Sequence, residues 1–229
     1  MTSIGNNDFY QCSSLKQIKF SKALISIGSS SFYCTTIQEL IIPESVTTIG
    51  QSTFYGCSGI EKVKIPTSVT SFGSNIFYSC NIIELECDPY KTSLSSFVQN
   101  NSYFQTLIIA TTQTTLSSIS LSSYSYLRQV SIVSPVTSIG DSAFNSCSNL
   151  QQVTLPESVT YIGNSAFYQC SSLQQINIPP KVTTIGSNAF YNCSSLQQII
   201  FPNSVTSIGS SAFYYCSNLR KVVIPPSVT

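Results

Sequence analysis

The chain has 229 residues, of which 42% are hydrophobic and only 8% charged, and its ten basic and nine acidic residues give a formal net charge of +1. Because it contains no His, a Ser-His or Cys-His catalytic pair cannot form, and its sparse basic residues form no stripe that would follow nucleic-acid phosphates. No apolar stretch approaches the length that spans a bilayer, so direct membrane insertion is not expected.

The first residues, MTSIGNNDFYQC, carry no feature of a secretory signal peptide. They lack both a positively charged region and an apolar region of the usual length. The sequence therefore predicts no export or anchoring signal in this chain, which leaves a cytoplasmic location open.

A dipeptide of Ile or Phe followed by Gly recurs along the chain. Successive glycines are 22 or 23 residues apart, except for one gap of 67 that has room for two degenerate repeats. A fixed period of this length is typical of a solenoid. We predict about ten coils, with the degenerate repeats at 88–135. The dipeptides end at Gly5, Gly28, Gly50, Gly73, Gly140, Gly163, Gly186 and Gly209.

Each regular repeat contains three local signals. Side chains alternate over residues 196–201, which predicts a short strand that Pro202 ends. Residues 204–208 form a second β-branched stretch, closed by Gly209, where we expect a turn with positive φ. Residues 210–216 combine serine caps with apolar side chains at helix-like spacing, which predicts one short helical turn.

These signals predict a solenoid of the α/β or mainly β class. Its coils would be right-handed, with a parallel sheet on one face and short helical turns on the other. A single coil buries too few side chains to fold alone, so neighbouring coils must pair their strands and share a core. We expect Phe190, Leu196 and Ile199 to point into that core.

The two degenerate repeats are recognised by their apolar positions. Phe104, Leu107 and Ile109 fit the strand of the first, whereas residues 88–100 fit poorly and are a candidate ligand loop. The second repeat matches the regular coils at Leu116, Leu121, Tyr124, Leu127, Val130 and Ile132.

Limited proteolysis is expected to cut near Tyr90–Asn101 before it cuts within residues 136–225. The reason is that one poor coil lowers the local stability of a stacked array, and this stretch is rich in turn-forming residues. Mass spectrometry of the first fragments checks this. A first cut inside the regular coils would contradict it.

The repeat unit IGxxAFxxCxxLxxIxIPxxVT resembles the BspA-like class of leucine-rich repeats, found in bacterial and protist proteins. The likeness covers the chain apart from residues 88–100. It implies a horseshoe-like leucine-rich-repeat solenoid without conserved catalytic residues, frequently displayed on the cell surface or secreted. It also implies adhesion to host cells, matrix proteins or other microbes. We therefore expect a protein-binding solenoid without enzymatic activity, with an intracellular scaffold as the alternative.

Complete members of this class have capping repeats, and this chain opens and closes in the same phase of the repeat. We interpret residues 1–229 as one solenoid and as a fragment of a longer protein. Coils without caps expose apolar side chains and strand edges, so we expect end-to-end self-association, measurable by sedimentation velocity. A monomer at every concentration would contradict this. The side chains expected at the ends are Ile4, Phe9, Phe213 and Val222.

Eight of the nine cysteines fall at what reads as one repeat position. Equivalent side chains in successive coils point the same way, so their Cβ atoms stay too far apart for an easy disulfide. We predict free, buried thiols that pack in the core, with disulfides in an exported protein as the alternative. No C-x-x-C or His supports a metal site, and no cofactor is expected. The eight are Cys12, Cys34, Cys57, Cys80, Cys147, Cys170, Cys193 and Cys216.

The outer face of the predicted strands is where a repeat protein most often binds its ligand. Its first half is charged, and its second half carries a ladder of four Gln residues that could hydrogen bond along the stack. Glu84, Glu86 and Asp88 form the one acidic cluster, for which a hydrolytic carboxylate pair or a cation site is the alternative. We expect Lys62 and Lys64 of the previous coil to pair with Glu84 and Glu86, which makes the cluster structural. The candidate ligand contacts on this face are Lys19, Glu39, Lys62, Lys64, Glu84 and Glu86.

A tyrosine follows the core phenylalanine in most repeats, which would align the rings along one surface. Such a row either binds a protein or sugar or packs along the solenoid as a shield. Tyr168, Tyr191 and Tyr214 are the candidate ligand contacts in this row. Two N-x-S sequons, at Asn100 and Asn192, could be glycosylated in an exported chain.

Overall fold

The computed structural model describes residues 1–91, 103–117, 119, 121 and 124–229. These residues form two units, Met1–Thr111 and Thr112–Thr229. Each unit is a stack of coils in which every strand pairs in parallel with its equivalents, so the predicted solenoid fold is confirmed. Most of the candidate ligand loop at 88–100, including the sequon at Asn100, lies outside the described residues.

Unit 1 contains two parallel sheets. One consists of β1, β2, β4 and β6 at the Ile-Gly or Phe-Gly positions, and the other of β3, β5, β7 and β8 at the Leu-x-x-Ile-x-Ile positions. Lys62 pairs with Glu84 and Glu84 with Thr106, so a fixed step of 22 residues relates these neighbours. The strands are β1 (Ser3–Ile4), β2 (Ser26–Ile27), β3 (Leu40–Ile41), β4 (Thr48–Ile49), β5 (Lys62–Lys64), β6 (Ser71–Phe72), β7 (Glu84–Cys87) and β8 (Thr106–Ile109).

Unit 2 repeats this arrangement. Strands at the Ile-Gly positions form the order β9-β11-β13-β15-β17, and the others pair as β10-β12-β14 and β16-β18. The register again follows the repeat, because Gln129 pairs with Gln152 and Gln152 with Gln175. The strands are β9 (Thr115–Leu116), β10 (Gln129–Ile132), β11 (Ser138–Ile139), β12 (Gln152–Thr154), β13 (Tyr161–Ile162), β14 (Gln175–Ile176), β15 (Thr184–Ile185), β16 (Gln198–Ile200), β17 (Ser207–Ile208) and β18 (Lys221–Val223).

The core of each unit consists of stacked rows of equivalent side chains. The predicted core residues Phe190, Leu196 and Ile199 are at most 1% exposed, which confirms the assigned faces. The core phenylalanines lie face to face in consecutive coils, with the ring centroids of Phe167 and Phe190 5.1 Å apart. Stacking is the only way a coil this small can cover its apolar side chains. The apolar residues predicted for both degenerate repeats, from Phe104 to Ile132, are also buried, except Tyr124, which is half-buried.

The predicted helical turns are wrong. After each Ile-Gly dipeptide the chain makes two tight turns, and each turn contains a residue with positive φ, such as Ser165 at 53° and Gln169 at 57°. Positive φ interrupts a right-handed helix. Instead of forming helical hydrogen bonds, alternate N–H groups donate to carbonyls of the next coil, as Phe167 N–H does to the Ala189 carbonyl at 2.8 Å. These bonds form a third ladder along the stack.

The glycine of each Ile-Gly dipeptide allows the backbones of neighbouring coils to approach closely. It does not form a left-handed turn. Gly56 is the one glycine with positive φ among the described residues, so the expectation for Gly209 is wrong. A Cβ atom on Gly209 would lie 2.4 Å from the backbone nitrogen of Ser187 in the preceding coil. A side chain there would force the two coils apart.

The side chains expected at the exposed ends differ in their burial. Phe9 and Val222 are 37% and 46% exposed, as expected, and Phe213 is half-buried. Ile4 is only 6% exposed, because β1 pairs it directly with Ile27 of the next coil, so its predicted exposure is wrong. Within the described parts of the chain, no helix has the length and apolar character needed to cross a bilayer.

Candidate functional site

The charged candidates all lie on one surface of unit 1, the outer side of the sheet formed by β3, β5, β7 and β8. We call this surface the charged strand face. Parallel pairing places Lys62 beside Glu84 and Lys64 beside Glu86. Their nitrogen–oxygen distances are 3.6 and 3.1 Å, so the predicted ion pairs are confirmed. The charged strand face consists of Lys19, Glu39, Lys62, Lys64, Glu84 and Glu86.

Two neighbouring depressions mark the charged strand face. The smaller has a volume of about 410 Å³ and is lined by Lys62, Lys64, Glu84 and Glu86 together with Glu39 and adjacent strand residues. The larger, of about 1070 Å³, lies between residues 17–22 and residues 39–45. All six charged candidates therefore line one or both depressions. The apolar Ile41, 67% exposed, lies at their common edge.

The four-glutamine ladder lies on the corresponding face of unit 2. The parallel register aligns Gln129, Gln152 and Gln175 in one row. Within described residues 124–229, however, no side-chain hydrogen bond joins one of these amides to the next, so the interpretation of a hydrogen-bonded ladder is not supported. Small depressions on this face are lined by Gln175, Gln198, Arg220 and Lys221 among others.

The tyrosine row is a stack in both units. The ring centroids of Tyr168 and Tyr191 are 4.8 Å apart, and those of Tyr191 and Tyr214 are 5.3 Å apart, with the planes nearly parallel. Each inner ring therefore has both faces covered by its neighbours. Partial burial and the like charge of nearby tyrosines raise the pKa of Tyr191. Covered ring faces favour a packing role over sugar binding, since sugars stack on ring faces.

All nine cysteines are free thiols. Five of the eight assigned to the repeat position are buried, which confirms the predicted packing role for those five, and Cys87, at a strand position, is buried as well. Their arrangement has a reason that the sequence did not show. The Cys193 thiol donates a hydrogen bond to the Phe167 carbonyl of the preceding coil at 3.2 Å, and Cys170 does the same to Phe144 at 3.2 Å. That carbonyl also accepts the amide of its own turn, Cys170 N–H at 3.2 Å. The thiol thus satisfies a buried acceptor.

Cys34 was assigned to the wrong repeat position. It occupies the left-handed turn, with φ of 55°, and is only half-buried. Thr35 occupies the cysteine position instead, 1% exposed and 3.2 Å from the Cys57 thiol. The spacing of 22 between Gly28 and Gly50 was the available signal, because it requires one residue fewer in this coil. Cys12, at the regular position, is exposed.

Burial makes the core thiols poor nucleophiles. It raises the pKa of Cys57 to about 11 and that of Cys147 to about 12, and it also raises the pKa of Cys170 and Cys193. The reactive form of cysteine is the thiolate, so these groups are protonated at neutral pH. Within the described residues, no group of three or more His, Cys, Asp or Glu side chains is placed to hold a metal ion.

Thiol titration with an aromatic disulfide reagent is expected to detect close to nine thiols after denaturation without reductant. Before denaturation we expect three or fewer, because only Cys12, Cys34 and Cys216 have appreciable exposure. Intact mass gives an independent count. A mass eight hydrogens below the reduced value would mean four disulfides and would contradict free thiols.

The larger depression, between residues 17–22 and 39–45, was not predicted from the sequence. In the regular coils a proline ends the strand, as Pro43 and Pro202 do, whereas the first coil has Ser21 at that position. That substitution was the one available signal for an irregular first coil.

Comparison with known proteins identifies the repeat. The model of the BspA type leucine-rich repeat region matches residues 1–106 and 114–229, in six copies. A leucine-rich repeat protein from Bacteroides ovatus ATCC 8483 is 26% identical, with a TM-score of 0.52, over 99% of this chain and 71% of that one. A leucine-rich cell surface protein from Faecalibacterium prausnitzii A2-165 is 28% identical, with a TM-score of 0.49, over 96% and 62%.

The pneumococcal vaccine antigen PcpA is 21% identical, with a TM-score of 0.46, over 100% of this chain and 65% of that one. This chain therefore spans less than two thirds of the length of the F. prausnitzii protein and of PcpA. No curated protein sequence matches it. With the repeat model matching nearly the whole sequence, the chain belongs to the BspA-type leucine-rich repeat family.

Proposed function

We propose that this chain is the protein-binding part of a cell-surface adhesin that recognises a host or matrix protein. The observation that carries the proposal is the charged strand face, with its two depressions on one side of unit 1. Membership of the BspA-type family supports the surface location and the adhesive role. The adhesive activity of the whole protein, beyond the residues of this chain, is likewise proposed.

The charged strand face suits a protein ligand because it combines mixed charge with exposed apolar area. The side chain of Lys62 is 73% exposed in its ion pair with Glu84. Exposed pairs of this kind stabilise a fold by only about 0–1 kcal/mol, so stability gives little reason for them. Charged groups at a protein interface instead select the partner and speed its association. Ile41 adds an apolar contact in their midst.

A binding role also accounts for the chemistry of the side chains better than catalysis does. Glu86, the best candidate for a catalytic carboxylate, is paired with Lys64 at 3.1 Å. The buried thiols are held protonated by their raised pKa, so they cannot serve as nucleophiles at neutral pH. We therefore propose that the chain is not an enzyme.

A pull-down from host-cell and matrix extract with the purified chain tests the binding role. The informative variant combines Lys62→Glu with Glu84→Lys, because it keeps an ion pair at this position while reversing the charges that a ligand meets. We expect this variant to fold normally and to capture at least tenfold less ligand. The matched control, Lys181→Glu, changes an exposed residue of unit 2 and is expected to bind normally. Equal capture by both variants would contradict the proposal.

An intracellular scaffold is the second candidate, and the free thiols favour it. Exported proteins commonly oxidise their cysteines to disulfides, whereas all nine remain thiols here. Surface biotinylation and protease shaving of intact cells separate the two candidates. An adhesin would be labelled and shaved. A scaffold would be protected until the cells are lysed.

A further inference from the structure

The larger depression on the charged strand face is an opening between two coils. β3 pairs with β5 on one side only, and residues 17–22, which should flank its other side, form no strand. Within residues 1–91, the last backbone bond before the opening joins Gln38 N–H to the Lys16 carbonyl at 3.1 Å. The backbone N–H groups of Ile18 and Phe20 on one side, and of Glu39 and Ile41 on the other, therefore have no backbone partner across the opening.

Comparison with the third and fourth coils shows one backbone bond that the opening lacks. Between the third and fourth coils, Ile65 N–H donates to the Glu86 carbonyl at 2.8 Å. The equivalent residues of the first and second coils are Phe20 and Ile41, and no such bond joins them. An open edge of this kind is a template for a further strand.

The size and lining of the opening suit a short extended segment. Its volume of about 1070 Å³ slightly exceeds the ~300–1,000 Å³ range of small-molecule pockets, which leaves room for a peptide. Ile18, Phe20 and Ile42 supply its apolar lining, and Lys19 and Glu39 lie exposed on opposite sides. Neither charge belongs to an ion pair within residues 1–91.

We propose that this opening binds an extended peptide segment of the protein ligand as an added parallel strand between residues 17–22 and β3. The inference rests on the proposed protein-binding function and names the form of the partner. Main-chain bonds to both sides supply the affinity in strand addition, and alternate side chains supply the specificity. Within residues 1–91, no other gap in this sheet lies between a strand edge and a coil whose equivalent residues form no strand.

The register of the repeat specifies which side chains the peptide carries. Its first residue lies between Gln17 and Glu39 and is basic, because Glu39 is the only charge there. The third lies beside Lys19 and is acidic. The second and fourth point inward between pairs of apolar residues and are apolar. The expected sequence is therefore basic, apolar, acidic, apolar.

Fluorescence anisotropy with the full chain tests this proposal. The probe is a labelled peptide with the core Lys-Leu-Glu-Ile flanked by Thr, and the comparison peptide exchanges the two charges to give Glu-Leu-Lys-Ile. We expect the first peptide to bind at least fivefold more tightly. A third peptide, N-methylated at the Leu amide, should bind at least tenfold more weakly than the first, because it loses a main-chain donor.

Charge exchange in the protein supplies the matched experiment. The double variant Lys19→Glu, Glu39→Lys should reverse the preference between the two peptides, whereas Lys181→Glu should leave it unchanged. Bound peptide should also slow hydrogen exchange at the amides of Glu39 and Ile41, which face the opening, because the equivalent Glu84 N–H donates to the preceding coil. Equal affinity for both peptides, or unchanged exchange at the Glu39 and Ile41 amides, would overturn the proposal.

These experiments distinguish failure of strand addition from failure of the proposed adhesive function. Capture of a host ligand that depends on Lys62 and Glu84, without binding of the peptide, would refute strand addition and leave the adhesive function standing. Selective peptide binding without any captured host ligand would support strand addition and count against the adhesin.

Discussion

Replacing Phe190 by Ala is expected to lower the free energy of unfolding by about 4–5 kcal/mol, in the upper part of the range for a large core aromatic. The side chain is fully buried and its ring is stacked between those of Phe167 and Phe213, with centroid distances of 5.1 and 5.2 Å. The substitution removes two stacking contacts as well as apolar burial. Urea denaturation followed by circular dichroism measures the change.

Phe213→Ala is the matched control for this prediction. Phe213 is half-buried, and among the core phenylalanines it stacks face to face on Phe190 alone. We expect a loss of only about 1–2 kcal/mol, since truncating a partly exposed side chain opens a smaller cavity. Equal losses for the two variants would mean that the position of a ring within the stack does not determine its contribution.

Alkaline pH is expected to destabilise the folded chain sharply through its buried thiols. Burial raises the pKa of Cys57 to about 11 and that of Cys147 to about 12, against about 8.5 in an unfolded chain. Between these values the unfolded state releases protons that the folded state retains. The stabilising contribution is therefore complete below about pH 8.5 and is lost as the pH rises toward 11–12.

For Cys57, whose pKa rises from about 8.5 to about 11, the loss amounts to roughly 3 kcal/mol, and it is larger for Cys147. The urea midpoint should therefore fall steeply between pH 8.5 and 11. Tyr and Lys also titrate at high pH, so the test compares variants. Replacing both Cys57 and Cys147 by Thr, the residue that naturally fills this position at Thr35, should make the fall shallower. Cys12→Ser, at an exposed site, should not change it.

The period, the strands and the core could be predicted from the sequence because they depend on side-chain spacing alone. The positions of Leu196 and Ile199 recur at a fixed distance before the next glycine in the regular repeats, and each repetition tests the same assignment. The charged strand face followed from the same register, since Lys62 and Glu84 occupy equivalent positions. Alternation then decides that both side chains point outward.

The turns could not be predicted from apolar spacing. Residues 210–216 have apolar side chains where a helix would have them, but bonds to the neighbouring coil outweigh those within a helix. The better signal was the residue type at the two left-handed positions, which is mostly Ser, Asn or Gln. Asn residues accept positive φ more readily than most, as Asn188 and Asn192 do here. The opening beside β3 exists because backbone hydrogen bonds between residues 17–22 and β3 do not form. The pattern of side chains along the sequence does not predict where such bonds are lost.

The stacked register also explains why so few charges occur in this chain. A residue repeated in every coil forms a column in which identical side chains are about 5 Å apart. A charged column would repel itself at every step, whereas a column of Ser, Thr, Asn or Gln would not. Duplication of a coil therefore succeeds when its surface is neutral. Charges enter later, coil by coil, as complementary neighbours such as Lys64 and Glu86. The charged strand face is then a surface on which otherwise regular coils have diverged from simple copying.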